Sequence, residues 1–217
     1  MQDETNWDDP KLREILEKTV ELFYEFGIRN LNMDDISRNL KISKKTLYQY
    51  VKSKEDLIEK IFEYDGLKWN MEFAKIKIDE LNAIEILIKA SLLIYDEMRR
   101  LDSKQKFELR KYYQAIFDRV MQTKQNHIFD HISMNIRKGI KEGLYRSDVN
   151  IELAATLYVR NMIDMHSDEY CFNENISFEQ LFEAMFENHL RAISTPEGIA
   201  YFEKRKSEIN QLNNKHK

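Results

Sequence analysis

The sequence predicts an all-α protein, and three observations carry that expectation. Gly and Pro are scarce, 5 and 2 of 217 residues, so few positions break a helix. Charged residues make up 33% of the chain, and Leu, Ile, Lys and Glu are abundant, as amphipathic helices require. Apolar residues recur at spacings of three and four behind Ser, Asp or Asn residues that can cap a helix.

The first helix is expected at Pro10, with Asp9 as N-cap and proline at the first helical position, where its missing N–H costs nothing. Leu12, Ile15, Leu16, Thr19, Val20, Phe23 and Phe26 form its apolar stripe, and Gly27 is expected to end it as a left-handed cap. Asn32 caps a short second helix whose inward residues are Met33, Ile36 and Leu40, and Ile42 plugs the turn that follows. Ser43 caps a third helix with Leu47 and Val51 on its buried side. Three such helices could close a small core around Phe23, Phe26, Leu31, Ile36, Leu40, Ile42 and Leu47. Ser53, with Asp56 at the third helical position, opens a fourth helix expected to run through Trp69 and Phe73 as a strut.

Further along, Asn82 with Glu85, Asp102 with Gln105 and Ser177 with Gln180 read as capping boxes. Ile84, Leu87, Ile88, Ser91, Leu92 and Tyr95 form one apolar face, and Phe107, Leu109, Tyr113, Ile116, Phe117 and Val120 another. Ile128, Ile132 and Ile136 continue to a helix end expected at Gly139 and Gly143. Asn150 starts a helix with Leu153, Ala154, Leu157, Tyr158, Asn161 and Met162 on one face, followed by one lined by Leu181, Met185 and Leu190. Thr195-Pro196 is expected to open a short final helix before a polar, frayed tail from Lys204.

Charge singles out one stretch. From Arg38 to Lys54 the only charged residues are the six cations Arg38, Lys41, Lys44, Lys45, Lys52 and Lys54, on a chain of formal net charge −4. The remainder therefore carries −10. A basic island on an acidic molecule turns one face to a polyanion and lets the rest repel it. Two short helices joined by a tight turn in the same stretch read as a helix-turn-helix, whose second helix enters the DNA major groove. Lys44 and Lys45 can donate to guanine O6 and N7, and Gln49 can pair with adenine N6 and N7. Tyr50 suits either a base or a phosphate.

Residues from about Asp9 to Trp69 resemble the DNA-binding domain of the TetR family of transcriptional repressors. The resemblance rests on Phe26-Gly27, on Met33-Asp34-Asp35-Ile36, on Ile42-Ser43-Lys44-Lys45-Thr46-Leu47-Tyr48 and on Val51-Lys52-Ser53-Lys54-Glu55-Asp56-Leu57. Two positions depart from it: Lys41 stands where the family usually has glycine, and Asn32 where threonine is more usual. A lysine at positive φ costs roughly 1 kcal/mol or more, so strain is expected at Lys41. By resemblance, Asn32, Thr46, Tyr48 and Lys54 join the DNA-contacting set, Thr46, Tyr48 and Lys54 on phosphates. Glu142-Gly143-Leu144-Tyr145-Arg146-Ser147-Asp148 before Ala154-Ala155 also resembles the family, at the entry to a helix that usually helps form its dimer.

The resemblance implies a helix-turn-helix domain over 9–69, joined by the fourth helix to a ligand-binding and dimerising helical domain over 70–212. The implied partners are a palindromic double-stranded operator, a small-molecule effector and a second copy of the chain, held through the last two long helices. Aromatic and methionine side chains supply candidates for the effector pocket: Trp69, Phe73, Tyr95, Met98, Tyr113, Phe117, Met121 and Met162.

Other classes find less support. His127 and His131 share a helical face beside Asp130, and His166, Asp168, Glu169 and Cys171 cluster, yet neither group matches a catalytic or zinc motif. No enzyme and no cofactor is expected. A single cysteine forms no internal disulfide, no apolar run approaches the ~18 residues of a membrane span, and the acidic N-terminus is no signal peptide. A soluble, cytoplasmic protein is the expectation. An all-helical adaptor binding another protein is the alternative, and it would not need the basic island.

Overall fold

Local capping sets the first four helices, as the sequence predicts. Asp9 accepts from the Lys11 and Leu12 N–H groups ahead of α1 (Pro10–Phe26), and Asn32 from Asp34 and Asp35 ahead of α2 (Met33–Asn39). Ser43 accepts from Thr46 before α3 (Lys44–Tyr50), and Ser53 from Asp56 before α4 (Lys54–Ala74). Each cap satisfies donors that the first helical turn leaves open. The computed structural model describes residues 5–100, 103–165 and 176–215, with no side chains described in 96–104 or 208–215. The described chain continues through α5 (Ala83–Arg100), α6 (Ser103–Tyr112), α7 (Gln114–Lys141), α8 (Ile151–Asp164), α9 (Phe178–Ile193) and α10 (Pro196–Lys215).

Packing divides the chain into two compact units, one of residues 1–75 with 96–123 and the other of 76–95 with 124–217. In the first, Leu12, Ile15, Leu16, Phe23, Ile36, Leu47, Leu57 and Ile58 are buried together with Leu109 of α6 and Ile116 of α7. The core is thus larger than the three-helix cluster read from sequence, since three short helices bury too little apolar surface alone. Phe26 lies outside it, 41% exposed. Gly27 has φ 84 and ψ 152, an extended conformation at positive φ rather than the expected left-handed helical one. Essentially only glycine reaches that region.

In the second unit Tyr145 is the organising side chain. It is 1% exposed, and its hydroxyl donates to Asn135 Oδ1 at 3.1 Å while Asn135 Nδ2 donates to the Ala83 carbonyl at 2.7 Å. The Tyr145 ring lies so close to Gly139 that a Cβ there would meet its Cδ2 at 2.0 Å. Gly139 therefore does not end α7, which runs on to Lys141; Gly143, at φ 73, follows its end. Tyr145 also forms an isolated antiparallel bridge with Ser194, beside an Arg146 N–H to Ile193 carbonyl bond of 2.8 Å. Asn82 caps the Glu85 N–H at 3.0 Å, but the Glu85 carboxylate does not complete a capping box. It accepts instead from the Tyr201 hydroxyl at 2.9 Å and from the Arg205 guanidinium, fastening α10 to α5. Ser177 and Gln180 do form the reciprocal box.

Several apolar positions read as inward face solvent: Leu92, Phe107, Leu153 and Leu157 are 59 to 63% exposed. On α8 the buried stripe is Ala155, Tyr158, Val159 and Met162, rotated from the face that spacing alone suggested. Leu153 and Leu157 are left on an outer stripe one turn apart. The face read over Phe107 to Val120 is broken between α6 and α7 at Tyr113. The last helix is not short and does not fray at Lys204; α10 is 20 residues long. The Asp102 box and the His166–Cys171 group lie outside the described residues.

Candidate nucleic-acid interface

The turn between α2 and α3 is built by backbone geometry around one strained residue. The Ile42 N–H bonds to the Ser37 carbonyl and the Lys41 N–H to the Arg38 carbonyl, each at 3.1 Å. This pairing closes the helix end when the residue between adopts positive φ, and Lys41 does so at φ 55. Lys41 is the one non-glycine residue with positive φ among those described. The turn sets α3 across α2 with Ile36 and Leu47 each 0% exposed between them.

That packing sorts the faces of α3. Leu47 and Val51 are buried, while Lys44, Lys45, Tyr48 and Gln49 are exposed together, as positions one turn apart on the opposite side must be. Lys44 Nζ is paired with Asp34 Oδ1 at 2.6 Å, and that hydrogen bond and charge hold its pKa above the ordinary lysine value. No acid is ion-paired to Lys45 among the described residues. Thr46 is half-buried, its Oγ1 2.7 Å from the capping Ser43 hydroxyl. An exposed cationic and amide face of this kind can reach base edges, with flanking hydroxyls in reach of phosphates.

Three expected contact residues are engaged inside the unit. Lys54, expected on a phosphate, turns inward: its Nζ donates to the Leu31 carbonyl at 2.5 Å and lies 5.7 Å from the centre of the Tyr113 ring. Desolvation pushes its pKa down. The reason is that the α1–α2 loop offers an open carbonyl within reach of the first residue of α4. Tyr50 packs against the core, and its carbonyl accepts from Lys60 Nζ at 3.1 Å. Asn32 commits its side-chain oxygen to its own helix start, at 2.8 Å from Asp34 N and 2.9 Å from Asp35 N.

Sequence reading missed the side chains that hold the loop before α2. Glu108 of α6 accepts from the Ile28 and Arg29 N–H groups, and Arg29 reaches the Tyr112 hydroxyl at 2.8 Å with its guanidinium 4.6 Å from that ring's centre. Nothing local marks them, because the partners are about eighty residues apart.

The candidate pocket residues divide between the units. In the first, Trp69 and Phe73 stack with centroids 5.2 Å apart, and Tyr113 and Phe117 pack on the core that carries the helix-turn-helix. Met121 is half-buried in that unit. In the second, Tyr95 lies 5.8 Å from Phe178 and 5.4 Å from Phe182 between ring centroids, and Met162 is 2% exposed. The Met98 side chain lies outside the described residues. Among the described residues no group of three or more His, Cys, Asp and Glu could hold a metal, and no helix is long and apolar enough to cross a membrane.

Residues 15–61 match the sequence model of the bacterial regulatory proteins of the tetR family, a segment that contains α2, α3 and the whole turn described above. Residues 15–61 are thus a tetR-family DNA-binding helix-turn-helix domain. The chain is 25% identical over 170 residues, 70% of its own length and 76% of the relative's, to the HTH-type transcriptional repressor KstR2 of Rhodococcus jostii. Its fold is similar to that of a transcriptional regulator from Cytophaga hutchinsonii, with a TM-score of 0.69 and 21% identity over 86% of this chain and 100% of that one. It is also similar in fold to AibR, solved with isovaleryl coenzyme A and operator DNA, with a TM-score of 0.55 and 18% identity over 82% and 97% of the two chains.

Proposed function

We propose that the chain is a TetR-family transcriptional regulator that binds a palindromic operator as a homodimer and represses transcription until a small molecule releases it. The observation that carries this reading is the exposed face of α3, where Lys44, Lys45, Tyr48 and Gln49 stand together behind a family-matched turn. In it, Lys44, Lys45 and Gln49 read bases, and Thr46 and Tyr48 hold phosphates. Lys54 acts one step back, fixing the Leu31 loop. Residues 9–69 form the DNA-binding head and 70–212 the sensing and dimerising part, with the protein working in the cytoplasm.

Two further observations support the details. Leu153 and Leu157, 61 and 63% exposed on α8, offer an apolar stripe that a second copy would cover, with α9 as its neighbour. AibR, similar in fold, is described with both operator DNA and an acyl thioester bound. A two-fold dimer requires half-sites about 34 Å apart, or a multiple of that.

Selection of bound duplexes from random DNA tests the reading. The full chain should recover a palindrome, Lys44→Ala and Gln49→Ala should each change the bases preferred, and Tyr48→Phe should weaken all duplexes alike. Recovery of no preferred sequence, with salt-insensitive binding, would favour the protein adaptor instead. Light scattering showing a monomer at working concentration would remove the dimer.

A further inference from the structure

A second group of cations stands outside the helix-turn-helix but inside the same compact unit. By sequence, α6 carries Lys104, Lys106, Arg110 and Lys111 against one acid, Glu108, on a chain of net charge −4. Glu108 is 9% exposed and turned onto the Ile28 and Arg29 N–H groups. Among the described side chains, the charge that α6 shows to solvent is therefore positive.

Tyr112 collects two cations. The Arg29 guanidinium lies 4.6 Å from the centre of its ring and donates to its hydroxyl at 2.8 Å. The Lys111 ammonium lies 5.4 Å from the same ring centre and 5.2 Å from that of Phe107, a side chain 59% exposed. The negative faces of the rings hold these cations in place, and no carboxylate is ion-paired to either among the described residues. The C-terminal dipole of α6 favours Lys111 where it stands, but it gives no reason for Arg29, which comes from the α1–α2 loop, to share the ring. Two like charges gathered in this way repel each other, and an anion bound beside them removes that cost.

Chain connectivity puts the pair at the edge of the helix-turn-helix. Arg29 precedes the α2 cap Asn32 by three residues, at most about 11 Å of chain. Tyr113, next after Tyr112, has its ring centre 5.7 Å from the Lys54 ammonium at the start of α4. We propose that Arg29 and Lys111, gathered on Tyr112, form a second DNA contact that grips phosphates of the duplex backbone apart from the bases that α3 reads. The proposal rests on the DNA-binding reading given above. A guanidinium fork and an ammonium both suit phosphate, and contacts to phosphate position a protein without selecting bases. A duplex presents one such charge per ~1.7 Å of its axis, so cations in the unit that carries the reading helix meet the backbone without a further partner.

The test is the salt dependence of binding to random-sequence duplexes of ~40 base pairs, followed by fluorescence anisotropy with the full-length protein. Arg29→Gln and Lys111→Gln should each lower the slope of log K against log salt by about one unit per bound chain. Each should weaken AT-rich and GC-rich duplexes alike, by about three- to tenfold at low salt. Arg29→Lys keeps the charge and should keep the slope. Lys18→Gln removes an exposed cation from α1 of the same unit and should leave slope and affinity near those of the wild type. Arg29→Gln also breaks the bond to Tyr112, so Lys111→Gln decides the matter if the first variant fails to fold. Wild-type slope and affinity in both variants, as a patch turned to an acidic protein would give, overturn the proposal. An equal loss in Lys18→Gln overturns it too, because net charge alone would then account for the effect. Lys45→Gln is measured on the same duplexes. A lowered slope there, with wild-type slopes in Arg29→Gln and Lys111→Gln, removes the patch alone, whereas a wild type that binds no duplex removes the DNA-binding reading and the patch with it.

Discussion

Glu108 accepts the backbone N–H of Ile28 at 2.6 Å, joining α6 to the loop that leads into α2. The same carboxylate takes the Arg29 N–H at 3.2 Å and fills the space beside Gly27, where a Cβ would come within 3.0 Å of it. Two backbone donors that α1 leaves unpaired are thereby satisfied by one buried acceptor. Removing it orphans the Ile28 N–H in the core. Glu108→Ala should cost about 2–3 kcal/mol in denaturant unfolding, and Glu108→Gln, which retains one acceptor oxygen, about half as much. An unchanged midpoint for Glu108→Ala would mean that water replaces the carboxylate at no cost.

Lys41 pays the steric cost of a left-handed conformation at φ 55 in a turn whose backbone bonds are otherwise well formed. Lys41→Gly removes the Cβ clash and adds some freedom to the unfolded chain, two opposing effects of similar size with the clash the larger. The variant should gain about 0.5–1 kcal/mol by thermal or denaturant melting. A loss of stability would show that lysine contacts outweigh the strain.

The two residues also mark what could be read from sequence. Lys41 was legible because the turn's demand is local, as were the caps Asp9, Asn32, Ser43, Ser53 and Ser177, whose partners lie two or three residues away. The exposed face of α3 was legible for the same reason, from its spacing against Leu47 and Val51. Glu108 and Lys54 were not, since their partners lie 80 and 23 residues away and only the packed core brings them together. Gly139 was misread as a helix stop because its role depends on the Tyr145 ring, and the outer stripe of α8 because spacing does not say which of two apolar stripes is covered.

Asp34 holds the Lys44 ammonium at 2.6 Å, in competition with any base that Lys44 would read. Asp34→Asn removes that competitor and one negative charge beside α3, the helix proposed to face DNA. Operator affinity, followed by fluorescence anisotropy, should rise about two- to fivefold at low salt and less at high salt. Weaker binding would instead assign Asp34 the task of aiming Lys44.

Gly139 has no room for a side chain, since a Cβ would lie 2.0 to 2.6 Å from three atoms of the Tyr145 ring. That ring is locked by its hydroxyl on Asn135 and by its burial, so it cannot swing aside without breaking the link to Ala83. Gly139→Ala should therefore destabilise the protein by about 2–3 kcal/mol, although alanine is the better helix former. Tyr145→Ala in the same background should restore part of the loss, a coupling that a double-mutant cycle measures. Independent, additive losses would mean that the ring and residue 139 do not meet.

His189 gives stability a pH dependence whose direction follows from its burial. Its folded-state pKa is lowered from 6.5 to about 4 by desolvation, with the neutral phenol of Tyr158 against its ring. Between those values the unfolded chain binds the proton and the folded chain does not, so each step down in pH favours unfolding. The contribution is fully present above pH 6.5, is lost as pH falls toward 4, and amounts to about 3 kcal/mol over that interval. His189→Phe cannot take up the proton, so its stability should fall less steeply over the same range. Chemical denaturation of wild type and variant at pH 7, 5.5 and 4.5 isolates the effect from the carboxylates, which both proteins share. Parallel pH profiles for the two would mean that His189 is solvated enough to charge in the folded state.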